Sequence, residues 1–266
     1  VRSGDETDAH LGADQPSHID RPGHTVQPGH TVQPGPDGGD GHGPIGRSGR
    51  RATLLVLADG RMPTGGHAHS GGVEAAVTDG SLASLTDLAA FLLGRLHTVG
   101  LVAAAFAAAT CHAIATGRTG VADLDAELDA RTPAPAQRAA SRAQGRTLLR
   151  AGRAAWPVPA GPRAPHHPIA LGMVAAGAGL TPGDAALAAA HTTVTGPATA
   201  ATRLIGLDPL AVTGVLARLA DDVEAIARAG EEAAALPPRE LPALTAVRLD
   251  LLAEQHRLAP LRMFTS

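Results

Sequence analysis

Three features of this sequence predict an all-α protein. Strand signals, meaning runs rich in β-branched and aromatic residues with period-two alternation, are almost missing: Tyr is absent, Phe numbers 3 and Trp 1. The apolar mass is mostly Ala, with Leu and Val, and all 22 basic residues are Arg, so strong helix formers fill the chain beyond residue 50. Finally, apolar residues there recur at three- and four-residue steps, the period of a helix face.

Residues 1–50 are set apart by 11 Gly, 6 Pro and almost no large apolar side chains. Such a stretch cannot bury enough surface to offset about 1–2 kcal/mol of backbone entropy per residue, so a disordered, low-complexity tail is expected. It carries a tandem hexapeptide, Pro22–Gln27 and Pro28–Gln33, and the histidines His10, His18, His24, His30 and His42. Imidazoles suit nickel, copper and zinc, so a helical metal-binding protein using this tail is the alternative function.

Residues 51–266 are expected to form a single multi-helix bundle domain. Ser70 reads as the N-cap of a first helix with Glu74 near its positive end. Thr86–Thr116 is the clearest helix, with Leu88, Phe91, Leu92, Leu96, Val99, Val102 and Phe106 in phase and Thr86 or Ser84 as N-cap. Its apolar stretch between His97 and His112 is short for a membrane span and reads as a buried helix. Pro135–Ala155 follows, stopped by Pro157 and Pro159. Further helices are expected at Pro168–Ala178, Pro182–Thr195, Ala200–Leu207, Pro209–Ala235 and Leu241–Leu258. Pro182, Pro209 and Pro242 each stand near a start, where proline is tolerated.

Composition excludes several chemistries. Without Lys there is no Walker-type phosphate lysine and no Schiff base. One cysteine, Cys111, excludes an internal disulfide, a CxxC pair and a cysteine-ligated cluster. Residues 1–50 carry a net charge of −3 and the remaining 216 residues a net of zero, which gives no long-range steering towards nucleic acid or membrane. The polar N-terminus does not read as a secretory signal, and a soluble, cytoplasmic protein is expected. Burying Ala in place of Leu forfeits ~0.8 kcal/mol per CH2, so the body is expected to gain stability by covering an apolar face with a partner.

Few residues carry candidate chemistry. His67 and His69, with Ser70 and Glu74, form the densest polar cluster and are weak metal candidates, because a third ligand at fixed spacing is lacking. Ser70 has no nucleophile elbow around it. Arg138, Arg142, Arg146 and Arg150 recur every four residues and form one basic stripe on a helix, suited to an acidic partner or to solvent and lacking the aromatic platforms of single-strand nucleic-acid binders. His166 and His167 are adjacent and point apart. Cys111 reads as packing. From the residues alone, the chain is helical, not an enzyme, and built to associate.

Several segments resemble a known family. Leu54 to Glu74, containing Asp59-Gly60-Arg61-Met62-Pro63-Thr64-Gly65-Gly66 and His69-Ser70-Gly71-Gly72-Val73-Glu74, resembles the N-terminal signature of the urease accessory protein family UreF. Ser141-Arg142-Ala143-Gln144-Gly145 is similar to its internal "SxxQG", and Pro165–Gly172 to its "HxPxxxG". Ala201–Ile205 and Arg262–Ser266 resemble its "AAVRL" and terminal "RLFxS". His67 stands where the family usually has an aromatic, and Met263 where it has Leu.

The resemblance implies an all-α, non-catalytic chaperone that bridges UreD (UreH) and the GTPase UreG for GTP-dependent nickel insertion into apo-urease. No resident cofactor is implied, with nickel in transit at most, and a homodimer within a larger complex is expected. By position, Pro63, Gly65, Gly66, Ser70 and Glu74 would belong to a UreG-facing or tunnel-side surface, and Arg262, Phe264 and Ser266 would dock into UreD. Gln144, Gly145 and Arg203 would support the core or an interface. Glu74 and the C-terminal residues are thus expected to serve separate surfaces.

Overall fold

In the computed structural model residues 49–63 and 65–265 are described. The expected tail, apart from Gly49 and Arg50, lies outside the described residues, as do Thr64 and Ser266. The described residues are helical and hold no strand. α1 (Arg50–Ala58) leads through a 3-10 turn (Gly66–Ala68) to the short α2 (Val73–Thr78). α3 (Leu85–Arg95), a π-helical turn (Leu96–Gly100) and α4 (Leu101–Ala115) form one continuous run. Then come α5 (Val121–Ala130), α6 (Pro135–Ala155), α7 (His167–Gly177), α8 (Pro182–Ile205), α9 (Pro209–Arg218), α10 (Ala220–Glu232) and α11 (Val247–Leu258).

The core forms around α4, which is apolar on every side and therefore central. α7, α8 and α10 pack directly on it, and α6 packs on α7. Small side chains let these backbones meet. A Cβ on Gly172 of α7 would lie 2.4 Å from Ala107 O, and one on Gly230 of α10 would lie 2.8 Å from Ala104 Cβ. The thin side chains are thus offset by close approach and dense packing. The run Leu85–Ala115 is long and apolar enough to cross a membrane, yet 61% of its most apolar window is buried inside the protein, as expected of a core helix.

The elements differ from the sequence expectation at identifiable points. The helix expected over Thr86–Thr116 exists, capped by Ser84, whose Oγ accepts the Asp87 N–H, but its fourth turn, Leu96–Gly100, is widened to a π turn. The two helices expected on either side of Pro197 are a single α8. Proline removes the N–H that Thr193 O would accept four residues back. Arg95 repairs the gap, its Nε–H donating to Thr193 O at 3.2 Å. The helix expected over Pro209–Ala235 bends at Leu219 (φ −84°, ψ 0°) into α9 and α10. Leu241–Ala246 is irregular rather than helical, because Arg131 draws the carbonyls of Pro238, Arg239 and Leu241 to one guanidinium. The same guanidinium lies over the Phe106 ring, 5.4 Å from its centroid. α1 and α5 were not foreseen. α5 carries only Leu124 and Leu128 as its large apolar anchors, too few to stand out by periodicity.

Candidate functional site

The segments singled out by their motifs gather into two clusters. The first is built on the glycine loop before α2. Gly71 (φ +63°) and Gly72 (φ +95°) adopt left-handed backbone that L side chains resist. A Cβ on Gly71 would also press to 3.0 Å from the Pro197 ring. Arg95 Nη1–H donates to Gly71 O at 2.9 Å, so one guanidinium ties the loop to the proline gap of α8. Burial without a carboxylate partner among the described residues pulls the pKa of this guanidinium down to about 10. Ser70, fully buried, is not the N-cap of α2. Gly72 holds that place, and Ser70 Oγ accepts the Glu74 N–H from two residues further back, at 3.3 Å.

Glu74 is the centre of this cluster. Its side chain turns inward and holds the C-terminal segment. Oε2 accepts from His256 Nε2 at 2.7 Å and from the Phe264 N–H at 2.9 Å, and Oε1 accepts the Met263 N–H. Thr265 N–H then donates to Ala68 O at 2.7 Å. Burial alone would raise the Glu74 pKa, but the Met263 N–H, the His256 ring and the Phe264 N–H outweigh it and hold the carboxyl below its ordinary value. Glu74 and the C-terminal residues are therefore one site, not two separate surfaces. Phe264 is 6% exposed and packs within this chain, so its ring is no free docking group here. Arg262 and Met263 are exposed beside it.

The second cluster joins α5, α6 and α7. A Cβ on Gly145 would lie 2.1 Å from Pro165 O, so α6 can touch the α7 start only with glycine there. Ser141 Oγ, one turn earlier, accepts the His167 N–H at 3.0 Å and caps α7 from outside. His166 is buried between Ser141 Oγ (3.1 Å from Nδ1) and Asp129 Oδ1 (3.0 Å from Nε2). Burial first, and Arg142 nearby, lower its pKa against the pull of Asp129. A neutral ring with Nε2–H facing the carboxylate lets Nδ1 accept from Ser141. This Ser–His–Asp chain fixes the α6–α7 junction, since its serine oxygen is already engaged by a backbone N–H. Arg142 closes the cluster on Asp125 (3.0 Å) and Asp129 (2.7 Å).

Other expected residues fall as follows. Pro63 and Gly66 are exposed and Gly65 half-buried. Arg203 is exposed on the last turn of α8, so a core role is excluded; Gln144 is half-buried and Gly145 buried. The basic stripe is only half free, because Arg138 and Arg142 pair with acids of α5. His69 and His167 are neighbours, burial and then His69 pushing the His167 pKa down to about 4, yet no group of three or more His, Cys, Asp or Glu able to hold a metal ion occurs among the described residues. The histidines of the tail lie outside the described residues, apart from which Cys111 is buried, its pKa pushed up to about 12 by burial and by Asp184. Sequence reasoning missed Arg95, His256, Asp125 and Asp129. The absence of any acid between Asp129 and Asp184 was a usable signal that the arginines of α6 must look backwards for partners.

The family model of UreF matches residues 82–220 of the chain. The chain is 52% identical over 220 residues to the urease accessory protein UreF of Mycobacterium sp. strain JLS, covering 80% of this chain and 98% of the relative. The chain belongs to the UreF family. UreF of Mycolicibacterium vanbaalenii is 47% identical over 211 residues (77% and 94% of the two chains), and that of Mycobacterium tuberculosis 46% over 216 (79% and 97%). A role in urease maturation follows from this membership. In UreF terms, the N-terminal signature and the "RLFxS" segment meet at Glu74, and "SxxQG" meets "HxPxxxG" at Gly145 and Ser141.

Proposed function

We propose that this chain is a non-catalytic bridge acting in the cytoplasm. It joins UreD (UreH) to the GTPase UreG within a larger complex that loads nickel, as cargo, into apo-urease. The single observation carrying this reading is the Glu74 clamp, in which a buried carboxylate holds the C-terminal segment against the glycine loop. Beside the clamp runs an apolar row, Val247, Leu251 and Leu258 of α11 continuing to Leu261 and Met263, each 60–90% exposed. A row of this size next to an ordered strap fits a partner interface, and UreD is the occupant proposed for it. Pro63, Gly66 and His67, exposed in the segment that precedes Ala68, form the face proposed for UreG. A partner that prefers one nucleotide state of the GTPase shifts its equilibrium by that difference in affinity, which couples GTP to nickel release without chemistry in this chain.

Co-expression with UreD and UreG tests the reading. Leu251→Glu/Leu258→Glu changes only exposed side chains and should abolish UreD retention on size exclusion and urease activation with it. Glu74→Ala frees the strap and should weaken both. Wild-type retention of UreD by both variants overturns the reading.

A further inference from the structure

α6 presents a second surface that the clamp does not use. Arg146, Arg150 and Arg153 stand at i, i+4 and i+7, all exposed, within about 60° of one another around the helix. None of the three has a carboxylate within ion-pair distance among the described residues, whereas Arg138 and Arg142 of the same helix do. On the other flank of the same exposed face, about 100–140° round from Arg150, Ala151 and Ala155 line a groove of about 360 Å³. Its other walls are Val56, Met62, Pro63 and Trp156, with the Asp59–Arg61 ion pair among its lining. Leu55, next to Val56, is 72% exposed.

An apolar groove alongside a row of uncompensated cations specifies a partner chemistry. We infer that this face of α6 docks an acidic amphipathic protein segment, with carboxylates three and four residues apart meeting Arg146, Arg150 and Arg153 and apolar side chains entering the groove at Trp156. Charge complementarity selects the acid, since three guanidinium groups four and three residues apart repel one another until a carboxylate lies between them. The groove selects a segment with an apolar face over a plain polyanion. Nucleic acid fits less well, because Trp156 is the only aromatic ring among the groove residues and base stacking needs a series of them. This surface is distinct from the apolar row of α11 and shares Pro63 with the face proposed for UreG, so the peptide assay reads it independently of the UreD assignment.

The probe is a synthetic helical peptide free of Trp, with Glu three and four residues apart on one face and Leu on the next, added to the full chain. Trp156 is the only tryptophan in the protein, so its emission should shift to the blue as the groove fills, while anisotropy of a labelled peptide gives the affinity. Each exposed ion pair contributes a few-fold at most, so Arg146→Glu/Arg150→Glu/Arg153→Glu should weaken binding by about tenfold or more. Ala155→Glu should abolish the Trp156 shift. The circular dichroism melt of each variant, all changed at exposed positions, verifies folding. Equal binding of a Leu-free polyglutamate peptide or of a single-stranded oligodeoxythymidylate overturns the inference, as does peptide binding that the triple variant leaves unchanged.

Discussion

Pro197 removes one backbone donor from α8, and Arg95 of α3 supplies the replacement while also holding Gly71 O. An unpaired buried carbonyl costs about 1–3 kcal/mol, so Arg95→Met should lower the unfolding free energy by about that amount in urea titration. Pro197→Ala restores the N–H to Thr193 O, and part of the loss should return in the double variant Arg95→Met/Pro197→Ala. An equal loss from Arg95→Met in both backgrounds would sink this assignment. Nothing in the spacing of Arg95 marks it, because its partners are carbonyls 24 and 98 residues away in sequence.

Helix contacts in this chain are decided by glycine at a few crossings. Gly145 faces the backbone of Pro165 and His166, which cannot yield, whereas Gly183 faces only the carboxylate end of Glu231, 2.6 Å from where a Cβ would stand. Gly145→Ala should overpack the α6–α7 contact and cost about 1–3 kcal/mol or more. Gly183→Ala should be neutral or slightly stabilising through helix propensity, within about 1 kcal/mol. Thermal melts of the two variants check the contrast. Both glycines look alike in the sequence, and α6 itself was legible from end to end, from Pro135 to Ala155. What could not be read was which of its faces met a neighbour's backbone.

For the molecule as a whole, several buried groups titrate in the same sense. Burial lowers the pKa of His69, His166 and His167, with His167 reaching about 4. The unfolded chain takes up protons below about pH 6.5 while these rings stay neutral in the folded state. For His167 stability is therefore complete above that pH and falls as the pH drops from about 6.5 towards 4, by at most about 1.4 kcal/mol per pH unit, and His69 and His166 act in the same direction. Glu74, whose folded pKa is lowered, adds a further loss at still lower pH, as its carboxylate protonates. Melting temperature should stay level above neutrality and decline through the acid range, and His167→Gln should make the decline shallower. An unchanged slope in that variant excludes His167 as a contributor.

Composition and period determined that this chain is helical and that its longest apolar run is the central helix, and the ordered motifs from Leu54 to Ser266 marked its resemblance to UreF proteins. These are local properties, repeated along the chain and readable without knowing any contact. Only the tertiary structure decided that Glu74 grips Met263 and Phe264, that Arg95 carries α8 through Pro197, and that, among the described residues, Arg138 and Arg142 have carboxylate partners while Arg146, Arg150 and Arg153 do not. Each of those outcomes depends on a polar group finding a partner from another helix, and an interaction between distant residues leaves no period in the sequence that carries it.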